Sequence, residues 1–299
     1  MAKISKGLEK KIKQEVWKIL IEETEKSIEK ELPQYIKDII MEEIDKAIQK
    51  YRRCNKRKLI KHITYRINKF KKIMKEFEEY EKILDKNCKR LVKDLVKDVY
   101  EVSGESIAYK MWKYGETIFS FLKSVEGYIR QFHKMPLTQF DAQQLLTFYG
   151  DMYNFLVEKI LAEYVYILSK YKIIESENDE IKRLGKKFCE HYIRVTKQNK
   201  SIRRSLLLDL LDKAYPHKCS LLLDKIWRDA RFHTNFYFDD KEQKYYLNGK
   251  PKHISELMEQ YKQICGFCCT MINEEFKHSG IYKWLEEVEN VLKKLVTST

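Results

Sequence analysis

Between Ile60 and Leu95 apolar residues recur at spacings that alternate three and four: Ile60, Ile63, Ile67, Phe70, Met74 and Phe77, then Leu84, Cys88, Leu91 and Leu95. Only an α-helix brings such positions onto one narrow stripe, and a repeat near 3.5 residues is the seam of a coiled coil. Glu81 breaks the stripe. The pattern predicts one helix over 57–100, on the order of 65 Å long at about 1.5 Å rise per residue. Its seam needs a partner, either helices of the same chain or a second copy. Amphipathic neighbours favour the first: Leu8, Ile12, Val16 and Ile19 mark one helix, and Ile36, Ile40, Ile44 and Ile48 another.

Helical stripes continue to the end of the chain. With 9 Gly and 4 Pro in 299 residues, long helices and short connections are expected. Residues 101–105 end the heptad helix, and 106–133 read as a further one. Pro136 and Thr138, which can cap a helix, mark the clearest boundary. Beyond it Leu145, Tyr149, Met152, Leu156, Ile160, Tyr164 and Ile167 line one helix. After a polar turn at 175–179, Ile181, Leu184, Phe188, Tyr192 and Val195 line the next. Residues 202–214 and a run through Leu221, Leu222, Ile226 and Trp227 follow. Residues 236–250 read as a β-hairpin; Ile254, Leu257, Tyr261, Cys265, Cys268 and Ile272 make a last long stripe before a short helix at 284–295. The expected fold is all-α, with an elongated helical region over 1–135 and an up-and-down helical bundle carrying a small β-hairpin over 136–299.

The net charge of +14 attracts polyanions: RNA, DNA or an anionic membrane surface, unless it serves only as a solubilising coat. No apolar run approaches the roughly 20 residues that cross a bilayer, and residues 1–7 lack the apolar core of a secretion signal. Seven cysteines are scattered without a disulfide framework, as in a reducing compartment. A cytoplasmic location without membrane association is expected. Cys265 and Cys268 form the one CxxC, but both fall on an apolar stripe, so they read as small buried hydrophobes. No metal site and no cofactor is expected, and the phosphate-cradling, dinucleotide, zincin and serine-hydrolase motifs are missing.

One segment carries chemistry. Arg228, Asp229 and His233 stand at the end of a buried-looking helix, immediately before the predicted hairpin. A guanidinium forks onto phosphate oxygens, and an imidazole changes charge near neutral pH. This Arg-polar-x-x-x-His arrangement, followed by aromatic strand-like residues and another long amphipathic helix from Ser255, resembles the signature of the HEPN superfamily of helical-bundle ribonucleases. The resemblance covers roughly 140–280. A second match to the spacing, Arg57 to His62 with Lys58 in the polar slot, lies in a basic amphipathic helix and reads as accidental.

The resemblance implies a metal-independent RNA endonuclease in defence, stress response or RNA processing. The ribose 2′-hydroxyl attacks the adjacent phosphorus and leaves a 2′,3′-cyclic phosphate. His233 then moves a proton, Arg228 neutralises charge developing on the phosphoryl oxygens, and Arg231 adds phosphate binding. Asp229 replaces the family's commoner Asn and is assigned to orienting His233 or Arg228. Residues four apart on a helix stack, whereas those five apart diverge by about 140°. One copy of Arg228 and His233 therefore makes a poor cleft, and the family's habit of pairing across a twofold axis implies a homodimer through the motif-bearing helix. A further family feature, a Tyr two residues beyond the His, is Asn235 here. Lys56, Arg57 and Lys58 form a basic connector able to grip RNA phosphates. The alternative is a non-catalytic helical scaffold or nucleic-acid-binding protein, with Arg228 capping its helix and His233 favoured by the dipole.

Overall fold

The structure is a computed structural model that describes residues 56–103, 136–198, 200–223 and 236–278, with 226, 227 and 229, seven positions between 118 and 130, and 282, 286 and 290. The chain divides into two compact units. One comprises Met1–Glu76, Glu105–Lys113 and Ile272–Thr299; the other comprises Phe77–Gly104 and Tyr114–Met271. The architecture is mostly helical, with a small three-stranded antiparallel sheet. The two helical patterns expected within 5–51 lie outside the described residues.

The heptad stripe is two helices, not one. α1 spans Lys56–Ile83 and α2 spans Lys86–Ser103. The Asp85 side chain caps the second, accepting from the backbone N–H of Asn87 (2.9 Å) and Cys88 (3.1 Å). The break is held from outside. The Gln263 amide donates to the Ile83 carbonyl (3.0 Å) and accepts from the Asp85 N–H (2.9 Å), so one side chain satisfies both backbone groups freed there. Gly266, one turn further along, lets the backbones close up: a Cβ there would stand 2.9 Å from the Tyr80 carbonyl oxygen. Glu81, which breaks the apolar stripe, is buried and ion-paired to Lys89 across the break (2.7 Å). Periodicity ran through this point because Leu84, Cys88, Leu91 and Leu95 are all buried, as a continuous seam would also require.

Thr138 does cap the next helix, in a reciprocal box with Asp141. From there α3 (Gln139–Asn154), a π-helical segment (Phe155–Leu161) and α4 (Ala162–Tyr171) run on without leaving helical dihedrals. Their stripe forms the centre of the second unit: Leu145, Tyr149, Leu156 and Tyr164 have no exposed surface. A 3-10 turn at Ile173–Glu175 leads to α5 (Asp179–Lys197), capped by the Asn178 side chain. α6 is Arg204–Ala214 and α7 Ser220–Leu223; the long α8 is Ile254–His278.

The expected hairpin has a third strand. β1 (Phe236–Asp239), β2 (Lys244–Leu247) and β3 (Lys250–His253) pair antiparallel in that order. Asn248 and Gly249 both have positive φ (50° and 75°), the geometry of a tight hairpin turn. Asn-Gly was the signal for β3. Pro251 is tolerated because β3 is an edge strand. The Tyr245 hydroxyl locks this layer to the Ala142 carbonyl of α3 (2.7 Å), and two more tyrosine hydroxyls tie helix to helix, Tyr153 to Leu222 (2.8 Å) and Tyr261 to Leu145.

Cys88 and Cys219 are joined by a disulfide. This corrects the reading of cysteines scattered without a disulfide framework and removes cysteine usage as an argument for a reducing compartment. A separation of 131 residues leaves no spacing pattern to read. Cys265, Cys268 and Cys269 are fully buried on α8, as small hydrophobes. No helix among the described residues is long and apolar enough to cross a membrane.

Candidate functional site

The helical run toward Asp229 is anchored at both ends. Trp227 is buried (1% exposed) and meets the Tyr245 ring of β2 edge-on, with centroids 5.4 Å apart. One turn earlier the Leu222 carbonyl accepts from Tyr153 of α3. Asp229 is helical and half-buried, directly beyond the Trp227 anchor. β1 begins seven residues later, so the candidate segment spans the short passage from helix to sheet.

Before this run, residues 215–219 form a strap along α2. The Tyr215 hydroxyl donates to Asp98 (2.8 Å), His217 Nε2 lies 3.7 Å from Asp94, and Cys219 is bonded to Cys88. Four extended residues cover about 13 Å at roughly 3.3 Å each, and ten helical residues about 15 Å at roughly 1.5 Å each. The two lengths match, so the strap lies antiparallel to the helix with each fastener in register. Asp98 also takes Lys172 of the α4 C-terminus at 2.6 Å. Burial, and then the Asp98 carboxylate, push the Tyr215 phenol far above its usual range, so it stays a donor at any working pH. None of these residues stood out in the sequence. Tyr215, His217 and Cys219, at alternate positions around Pro216, are an extended pattern, but their partners lie more than a hundred residues away.

Of the predicted catalytic residues, Asp229 is therefore placed, whereas Arg228 and His233 lie outside the described residues, as does Arg231 of the RNA-binding set. Lys56, Arg57 and Lys58 are not a connector: α1 begins at Lys56, and all three are helical in its first turn. They fall in the first compact unit, Asp229 in the second. No group of three or more potential metal ligands occurs among the described residues. Of the carboxylate pair Asp239 and Asp240, Asp239 closes the β1–β2 turn by accepting from the N–H groups of Lys241 and Glu242.

Comparison with protein-family models, with curated proteins and with solved structures finds no match.

Proposed function

We propose that the chain is a metal-independent RNA endonuclease whose active site is built on Arg228, Asp229 and His233. The observation that carries this reading is the seating of Asp229. A motif of charged residues is useful only if its backbone is rigid, and here the turn before it is pinned by a buried Trp227, a tyrosine hydrogen bond and a disulfide-held strap. Order along the chain also agrees with the HEPN resemblance: bundle helix, motif, small sheet, long helix.

In this mechanism the 2′-oxygen of the substrate bonds to phosphorus as the 5′-oxygen leaves. The proton lost by the 2′-hydroxyl and the proton gained by the leaving 5′-oxygen pass through His233, one from each of two copies meeting across a dimer. Arg228 stabilises the crowded phosphoryl oxygens, and Asp229, one turn before His233, orients the imidazole.

The test is cleavage of a labelled RNA in EDTA by wild-type protein and by His233→Ala at equal helicity. Wild type should leave 2′,3′-cyclic phosphate ends and sediment as a dimer, and the variant should be inactive. Equal cleavage by the variant, or activity that vanishes in EDTA and returns with magnesium, would rule out this chemistry. Absence of cleavage by wild type would favour the non-catalytic, nucleic-acid-binding scaffold.

A further inference from the structure

We propose that the solvent face of α5 is the surface on which this protein docks an RNA backbone. The proposal rests on the nuclease reading only for the choice of RNA as the polyanion. The buried side of α5 is set by Gly185, Phe188 and Val195. At about 100° per residue, Lys182, Arg183, Lys186, Lys187, Arg194 and Lys197 all lie more than roughly 100° from the centre of that side. Glu190 and, at the helix start, Asp179 are the carboxylates on the same face. Five of the six cations are exposed and Lys182 is half-buried. Lys200 and Arg203, both exposed, carry the same sign beyond the helix end.

What marks this face is the clustering of cations without ion pairs along one helix. Several lysines elsewhere are matched with carboxylates, Lys82 with Glu79, Lys97 with Glu101, Lys244 with Glu242 and Lys262 with Glu259, although among the described residues others such as Lys69, Lys72 and Lys75 of α1 are not. Among the described residues none of the six α5 cations forms an ion pair. Helix stability does not account for them either. Arg194 and Lys197 suit the negative end of the dipole, but Lys182 and Arg183 stand one turn from the positive end, where cations gain nothing.

The array fits a linear polyanion. From Lys182 to Lys197 is about 22 Å at roughly 1.5 Å per residue, and a nucleic-acid strand offers a phosphate every few ångströms. A membrane surface fits poorly, because an interfacial helix needs apolar residues to insert and the outward face carries only Ile193 (42% exposed). The sequence alone points to Lys56, Arg57, Lys58 and Arg231 for phosphate binding; α5 lies in the second compact unit and includes none of them.

The test measures binding of a fluorescent 2′-O-methyl oligoribonucleotide, which cannot be cleaved by 2′-hydroxyl attack, as a function of salt. It thus reports docking whether or not the nuclease reading is right. Two variants remove equal charge: K182Q/K186Q/R194Q/K197Q on α5, and K82Q/K97Q/K244Q/K262Q on paired lysines. With a log–log slope near −0.7 per phosphate contact, the α5 variant should flatten the slope by about two to three units and the control by less than one. Equal flattening by both would reduce the effect to net charge and overturn the proposal. So would no measurable binding by wild type, or tighter, α5-dependent binding to phosphatidylserine vesicles or to polyglutamate.

Discussion

Cys88 on α2 and Cys219 at the foot of α7 are bonded with Cα atoms 4.5 Å apart at a sequence separation of 131. The bond is one of three fasteners along the strap, beside Tyr215 to Asp98 and His217 to Asp94. It is the one that reductant can remove. Chain entropy puts closure of so long a loop at up to about 5 kcal/mol. Cys88→Ser should therefore lower unfolding stability by roughly 2–5 kcal/mol in chemical denaturation, and dithiothreitol should do the same to wild type but not to the variant. Identical midpoints with and without reductant would show that the pair is not bonded in solution.

Gln263 satisfies the two backbone groups at the α1–α2 break. Gln263→Ala should cost about 1–2 kcal/mol, the net worth of two partly exposed hydrogen bonds. Hydrogen exchange should rise at Asp85, whose N–H loses its partner, and stay unchanged at Leu95. Protection of Asp85 equal to wild type would argue that the break does not depend on this residue.

Burial pushes the Cys268 thiol up to about 12, and holds the Cys269 thiol well above its usual range. At pH 9 only about one Cys268 in a thousand would be thiolate, against a majority for a free thiol near 8.5. Iodoacetamide labelling of Cys268, followed by peptide mass spectrometry, should thus stay slow from pH 7 to 9 until denaturant is added. Rapid alkylation in native buffer would place the CxxC at an open surface.

His191, just before the end of α5, accepts the Arg203 N–H at Nε2 (2.7 Å), with Arg194 3.2 Å from Nδ1. Desolvation first, then the Arg194 and Arg203 charges, lower its pKa below the ordinary histidine value of about 6.5. A histidine depressed in the folded state contributes stability above its unfolded pKa, lost as pH falls through the folded value. NMR titration should give a midpoint below 6.5 for this ring, and His191→Gln should flatten the stability profile on the acid side of that value. A midpoint above 6.5 would mean that a carboxylate, not the arginines, governs the ring.

Whatever depends on neighbours within a turn or two was legible along the chain. The apolar stripe of α3 and α4, the Thr138 cap, the polar turn before α5 and the aromatic strands all follow from helix and strand periodicity and from side chains bonding nearby backbone. Asn248-Gly249 was equally local and announced β3, although the pattern had suggested a hairpin alone. The tertiary structure decided what requires residues to meet across long separations. Gln263 marks where the heptad helix ends from 178 residues away, and Cys219 finds Cys88 across 131. The six α5 cations are individually unexceptional in a Lys-rich chain. Only packing, which turns Phe188 and Val195 inward and leaves those cations facing outward without ion pairs, makes a single charged face of them. Periodicity is a property of the backbone's own geometry and can be read from sequence; pairing is a property of which surfaces close on one another, and the fold alone decides it.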